Sequence, residues 1–438
     1  MNLGRDVMGF GLRLLNRFAG APVVDKLGLR KSSEKAIYQA SKLGFRTATA
    51  AARSFSAAQK LVRPARLAKN TSSGLFDLTP SEEQLMLRDA AQSFALERLR
   101  PAAAAADTAC AAPADLLKES ADLGIALIGI SEELGGAGSE RSAMTNVLVA
   151  EAMAQGDMGL AVACLAPAAV STALSLWGNE QQQAAYLPAF TGDNSPVAAL
   201  AIQEARPLFD PFLLQTQAKR VGDSFVLQGV KSLVPRAAEA ELFIIAAQLE
   251  GSGPALFIVE SSTPGISIEA EPAMGLRAAS TARVVLKDVK IPATALMGEG
   301  SAEVYAECIQ LSRIAWCALA TGTAQAVLDY VIPYVNERVA FGEPISHRQS
   351  VAFSIANIGI ELDGMRLLTW QAASRAERGE AFDVPAALAR RLCADKGVVI
   401  GSDGVQLLGG HGFIKEHPVE RWYRDLRAAG MMEGVVLV

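Results

Sequence analysis

From position 82 to 191 apolar side chains recur every three or four residues, the period of helices that each bury one face. The spacing predicts helices over 82–100, 113–124, 140–156, 158–177 and 180–191. Thr79 reads as the first N-cap, with Pro80 at the first helical position and Glu82 closing a capping box. Between about 197 and 295 the pattern changes to short β-rich runs separated by Gly, Pro and Asp. Strands are predicted at Ser224–Gln228, Leu242–Ala247, Ala255–Val259, Ile266–Glu269 and Arg283–Leu286. The helical period then returns over 301–338, 347–378 and 383–408. The expected fold class is α+β, mainly α. A basic extension and linker (1–77) precede an N-terminal helical domain (78–195), a middle β domain (196–298) and a C-terminal helical domain (299–438). The uncharged stretch 158–179 is diluted by Pro167, Ser171, Thr172 and Ser175, and it reads as a core helix rather than a membrane span.

The extension has a different pattern. Leu3, Val7, Phe10, Leu14 and Phe18 share one face of a helix, with Arg5, Asp6, Arg13 and Arg17 opposite. Charge sharpens the contrast. Residues 1–70 hold 14 Lys/Arg against 3 Asp/Glu, or +11, while the rest holds 27 against 43, or −16. Dense Arg/Lys runs with interleaved aromatics are missing, so nucleic acid is not the expected partner. A basic face beside a Leu/Phe face suits peripheral contact with an anionic membrane surface through residues 1–70. An organellar presequence and a helical hairpin packed on the body are the rival readings. Half the chain is apolar and a fifth charged, as in a soluble globular protein. Cys110, Cys164, Cys308, Cys317 and Cys393 form no C-x-x-C, and His347, His411 and His417 lack metal spacing. The expectation is reduced, buried thiols and no metal.

Candidate chemistry concentrates near the C-terminus: Q-L-L-G-G-H-G-F at 406–413, V-E-R-W-Y-R-D at 419–425 and M-E-G at 432–434. Upstream lie I-S-E-E-L-G-G-A-G at 130–138, Y-L-P-A-F-T-G-D at 186–193 and R-V-A-F-G-E-P-I at 338–345. In this order, over about 78–438, the chain resembles the acyl-CoA dehydrogenase family. The resemblance implies an N-terminal helical domain, a middle β domain and a C-terminal four-helix bundle. It also implies FAD as cofactor, an acyl-CoA substrate, an electron-transfer flavoprotein as acceptor, and a homodimer or homotetramer. Glu433 falls on the position of the base that removes the α-proton. Burial raises a carboxyl pKa and so suits it to that work; Met431, Met432 and Gly434 give it an apolar local sequence. Arg313 and Gly434 fall on substrate-side positions, Arg313 as a CoA-contacting or site-organising arginine, with a helix-surface salt bridge as its alternative. Ser312 precedes Arg313, so the alternative base that some relatives carry there is missing. Arg338, Phe341, Gln349, Gln406, Gly409 and Gly410 match residues that reach the FAD of a neighbouring subunit. A guanidinium can clamp pyrophosphate bidentately, and glycine admits close backbone approach.

The chain departs from the family at both loops that hold the flavin ring. Where T-E-P-x-x-G-S-D is expected, it has Q-E-A-R-P-L-F-D at 203–210, keeping Glu204 and Asp210. Where W-I-T-N-G follows G-x-K-S, it has L-V-P-R-A at 233–237, so Leu233 replaces a stacking tryptophan and Pro235 a threonine. E-G-T becomes E-G-V with Val435, and the sequence runs only five residues past Glu433. The leading expectation is an FAD-dependent dehydrogenase introducing a 2,3-double bond into an acyl-CoA thioester. The alternative is a non-catalytic or auxiliary subunit of a hetero-oligomer with a paralogue, supplying only part of the FAD site. A third reading keeps the fold with other acyl-CoA chemistry. The expected location is cytoplasmic or peripheral on a membrane's inner face, and the mitochondrial matrix in a eukaryote.

Overall fold

A computed structural model describes residues 78–130, 134–136, 142–192 and 195–438. The basic extension, and the membrane contact expected of it, lie outside the described residues. Helix α1 (Glu82–Phe94) is capped by Ser81, whose hydroxyl accepts the Gln84 N–H at 3.2 Å while Gln84 Oε1 accepts the Ser81 N–H at 2.9 Å. This reciprocal pair satisfies two orphaned donors, so the helix begins beyond the expected Thr79 cap and Pro80 stays outside it. A π-helical turn (Ala95–Leu99) carries the chain into α2 (Arg100–Ala109). Pro101 explains the turn, because it donates no N–H and crowds the carbonyl four residues back.

Four more helices complete this part: α3 (Ala114–Asp122), α4 (Ala143–Gly156), α5 (Met158–Trp177) and α6 (Glu180–Thr191). The Asp157 carboxylate caps α5 through the Leu160 N–H at 3.0 Å. Of the described helices α5 alone is long and apolar enough to cross a membrane. Most of it is buried among protein, the environment expected of a core helix.

A seven-stranded sheet follows: β1 (Ala198–Ala201), β2 (Gln217–Val221), β3 (Ser224–Val234), β4 (Leu242–Leu249), β5 (Gly253–Glu260), β6 (Ile266–Ala270) and β7 (Ala282–Pro292). Its order is β1-β4-β2-β3-β7-β6, with β5 antiparallel on β4 and β1 parallel to it. Alternate residues of β1 and β4 face two different cores. Ala198, Leu200, Leu242 and Ile244 join the helical core, while Ala199, Ala201, Phe243 and Ile245 fill the β domain. Burial on both faces removes the polar alternation, which is why β1 had no strand signal. The polar β2 had none for the opposite reason, being mostly exposed.

The last part is built on α7 (Ala302–Glu337), α8 (Gln349–Glu377) and α9 (Asp383–Leu407), with the short α10 (Val419–Leu426) beside them. The hairpin β8 (Val339–Ala340) and β9 (Glu343–Pro344) joins α7 to α8. Helix α4 packs along α7, so the first and last helical parts share one core.

Candidate active site

Glu433 lies just past a last helical turn (Ala428–Met431) and is buried at 6% exposure. Its backbone N–H donates to Gln203 Oε1 at 3.0 Å, tying it to the loop that leaves β1. Arg313 of α7 grips the carboxylate bidentately, with Nη2 2.7 Å from Oε1 and Nε 3.0 Å from Oε2. Arg390 of α9 donates through Nη2 to the Met432 carbonyl at 2.7 Å and stands 3.5 Å from Glu433 Oε1. Burial pulls the Arg390 pKa down, and Glu433 opposes that. The Gly434 carbonyl accepts from Ser312 Oγ and Trp316 Nε1, both at 2.8 Å. Glycine is required at 434, where φ is +75° and a Cβ would sit 2.8 Å from the Ile202 side chain. One carboxylate is thus fixed between two guanidinium groups where the β domain meets α7 and α9. The structure brings Glu433, Gly434 and Arg313 together; Gln203, noted only as opening the rewritten 203–210 loop, and Arg390, which had no signal in the sequence, complete the cluster.

The two rewritten loops are ordered by their own contacts. Glu204 accepts the Gln215 and Thr216 N–H groups at 2.8 and 2.9 Å and pairs with Lys231 Nζ at 2.9 Å. Lys231 is fully buried, and burial pushes its pKa down to about 8 despite Glu204. Burial would raise Glu204, but Lys231 and the two N–H donors hold it below the ordinary carboxylate range. Arg206 closes the loop on the Asp210 and Leu213 carbonyls and lies over the Phe209 ring. Leu208 at the tip has φ +51° and is 99% exposed. Tyr305 of α7 donates to the Pro211 carbonyl at 2.6 Å. In the second loop a register shift in β3 sets Leu233 at φ +53°, with its N–H on Glu271 Oε2 at 2.7 Å. Glu204 and Lys231, retained in the two loops, therefore staple β1 to β3 rather than face an opening.

The remaining candidates gather elsewhere. Arg338 ends α7, Phe341 (φ +57°, 95% exposed) tips the β8–β9 hairpin, and Gln349 opens α8. Gln406, Gly409 and Gly410 end α9, with open space where the two glycine Cβ atoms would be. Tyr334 links the two groups, its hydroxyl 3.4 Å from both the Leu408 carbonyl and His411 Nδ1. All six are exposed. Arg313 and Arg338 are separated by about 37 Å along α7 at the helical rise, so these residues and Glu433 do not share one pocket within a chain.

The V-E-R-W-Y-R-D stretch, singled out beside the glycines, becomes a buried hub in α10. Arg421 pairs with Asp157 at 2.8 Å, Arg424 with Asp107 at 2.9 Å, and Asp425 Oδ1 accepts the Leu276 N–H at 2.6 Å. Trp422 is fully buried. Burial pushes the Asp425 pKa up to about 8, with Asp157 adding to the shift. The thiols follow expectation at Cys164, Cys308, Cys317 and Cys393, whereas Cys110 is exposed, because it sits at the left-handed end of α2.

An N-terminal helical part, a seven-stranded middle sheet and a C-terminal bundle, joined by a carboxylate at their junction, define an acyl-CoA dehydrogenase architecture. The chain belongs to the acyl-CoA dehydrogenase family of oxidoreductases: the profile of that family's N-terminal domain matches 81–193, its middle domain 199–289 and its C-terminal domain 299–436. It is 32% identical over 360 residues to the mitochondrial short-chain specific acyl-CoA dehydrogenase of Bos taurus, covering 81% of this chain and 87% of that one. Among solved structures it resembles butyryl-CoA dehydrogenase from Megasphaera elsdenii, with a TM-score of 0.76, 28% identity and coverage of 82% and 96%. It also resembles PigA, solved as an FAD complex, with a TM-score of 0.75, 25% identity and the same coverage.

Proposed function

We propose that the protein is an FAD-dependent oxidoreductase that introduces a 2,3-double bond into an acyl-CoA thioester, with Glu433 taking the α-proton. The observation that carries this reading is the buried Glu433 carboxylate, held bidentately by Arg313 at the domain junction. Glu433 Oε2 accepts only from Arg313 Nε, which leaves it a lone pair for a proton from carbon. Arg313 stays on Oε1, and the Met432 carbonyl keeps Arg390 in place. Gln203 and the two donors on the Gly434 carbonyl fix the backbone on either side, so that only the carboxylate moves.

The dinucleotide part of FAD fits the outward-facing end of α7. Arg338, the Gly409–Gly410 backbone with its open approach, and the exposed N-terminus of α8 at Gln349 together offer a cation and free donors to pyrophosphate. When bound, FAD supplies the acceptor for the β-hydrogen as hydride. The separation along α7 supports a site shared between subunits, in which these residues serve the cofactor beside a neighbour's Glu433. A homodimer or homotetramer follows, with an electron-transfer flavoprotein as acceptor. The mitochondrial name of the bovine relative supports a matrix location in a eukaryote.

The altered loops at 203–210 and 233–237 favour a second reading, an auxiliary subunit that lends Arg338, Phe341 and 406–410 to a paralogue. One experiment separates the two. The purified chain should show flavin absorbance that bleaches anaerobically on adding acyl-CoA. A colourless homo-oligomer that acquires flavin only with a second dehydrogenase chain would replace the first reading with the second.

A further inference from the structure

Gln203 supports the Glu433 backbone with one end of its side chain and leaves the other end unused. It follows the end of β1 by two residues, is buried at 6% exposure, and has its own carbonyl fixed by the Ser232 N–H at 2.9 Å. The Glu433 N–H can only donate, so the amide must turn its oxygen towards it, at 3.0 Å. The amide nitrogen then points away from that N–H with two hydrogens. It has no hydrogen-bond partner among the described residues, and it is not one of their enclosed, unpartnered side-chain atoms. It therefore reaches an opening beside Glu433.

The other side-chain donors around the carboxylate are committed. Arg313 gives Nε and Nη2 to Glu433, which leaves Nη1 on the far edge of the guanidinium. Arg390 gives Nη2 to the Met432 carbonyl, and its Nη1 is unpartnered but enclosed. Ser312 and Trp316 both serve the Gly434 carbonyl, and the Tyr305 hydroxyl serves Pro211. Gln203 Nε2 is the neutral side-chain donor of this group that is both unpartnered and open.

We propose that Gln203 is a further catalytic residue, whose Nε2–H donates to the thioester carbonyl oxygen while Glu433 Oε2 takes the α-proton. The proposal rests on the reading of Glu433 as the base. As the C–H bond breaks, its electron pair moves into the thioester and gathers on that oxygen. When the β-hydrogen departs as hydride, the pair returns to form the 2,3-double bond. A donor already in place stabilises the passing charge without reorganising. Gln203 meets that condition, because flipping its amide would set two donors against each other at the Glu433 N–H. The family pattern has threonine here, so this role belongs to this chain.

The test uses the flavin-loaded oligomer and butyryl-CoA. In anaerobic D2O without an electron acceptor, exchange of the α-hydrogens reports proton removal by itself. Gln203→Met should slow this exchange, and kcat, by about 10²- to 10³-fold. A folded, flavin-loaded Met variant that exchanges at the wild-type rate overturns the proposal and leaves Glu433 as the base. Wild-type protein that neither exchanges nor oxidises the thioester overturns the reading of Glu433, and this proposal with it. Binding supplies a readout that backbone support alone would not move. In a Glu433→Gln background, where neither ligand turns over, calorimetry should show butyryl-CoA binding about two- to tenfold more tightly than butyl-CoA, the thioether that lacks the carbonyl. Adding Gln203→Met should remove that preference. Equal binding of the two ligands with Gln203 present, or a preference that survives its replacement, overturns the proposal.

Discussion

Helix α7 carries an arginine near each end, and the two are used in opposite ways. Arg313 faces inward, and its Nε and Nη2 are both engaged by the buried Glu433. Arg338 faces solvent beside an exposed phenylalanine and two glycines with nothing over them, and it makes no ion pair among the described residues. A buried charge without a partner is costly, so the inner arginine and its acid must come as a pair. An exposed charge needs no partner, so the outer group can wait for an anion. A single chain thus holds an acid site closed on itself and an exposed group directed away from it, which we propose as the cofactor half-site. The helix between them sets the separation that, on this reading, a second subunit bridges.

Four substitutions would break or sharpen this contrast. Glu433→Gln keeps the shape of the inner site and removes the proposed base. Oxidation of acyl-CoA should fall by about 10²- to 10⁴-fold with flavin content unchanged, and steady-state turnover together with the visible spectrum would check both. A Gln variant with full turnover would take Glu433 out of the mechanism.

Arg421→Met, in the hub rather than at either end of α7, strands the buried Asp157 carboxylate. The cost should be about 3–5 kcal/mol of stability, visible as a lower thermal midpoint in calorimetry. An unchanged midpoint would mean that Arg421 does not stabilise Asp157.

Arg338→Ala tests the outer end. Loss of a charge-assisted bidentate contact predicts about 1.5–3 kcal/mol, or roughly 10- to 150-fold, in FAD retention, measured by dialysis of the oligomer. Inner-site geometry should be untouched, so activity at saturating FAD should largely return.

The smallest effect concerns pH. The folded-state pKa of Asp425 is raised to about 8, because burial disfavours its charge. The folded form therefore binds the proton more tightly than the unfolded one. Its stabilisation is complete below the ordinary carboxylate range and is lost as pH rises towards 8. Asp425→Asn should flatten the fall in thermal midpoint between pH 5 and 8 relative to the wild type. An equal slope in both proteins would exclude Asp425 as the titrating group.

Much of this was legible in the linear chain. Helix periods located α5, α6, α8 and α9 to within two or three residues, because each buries a stripe or a whole surface long enough to set a period. The Gly-Gly stretch and R-x-x-F-G run marked the exposed residues at the outer end of α7 that are proposed to hold the cofactor. Two strands escaped notice, β1 because both faces are buried and β2 because it is largely exposed. The V-E-R-W-Y-R-D stretch was noticed beside the glycines, yet its charges serve α2, α5 and the 274–276 segment.

By itself the sequence determined the order of helices and strands, the family, and which residue types stand at positions 313, 338 and 433. These follow from local periodicity and from motifs a few residues long. Only the tertiary structure decided that Glu433 is clamped by Arg390 as well as Arg313, and that Gln203 holds its backbone. It also decided that Val435 to Val438, after Glu433, are buried in the helical core. Those contacts join residues more than forty positions apart, and several join residues more than two hundred apart. Their energies depend on burial and close packing, which no local pattern encodes.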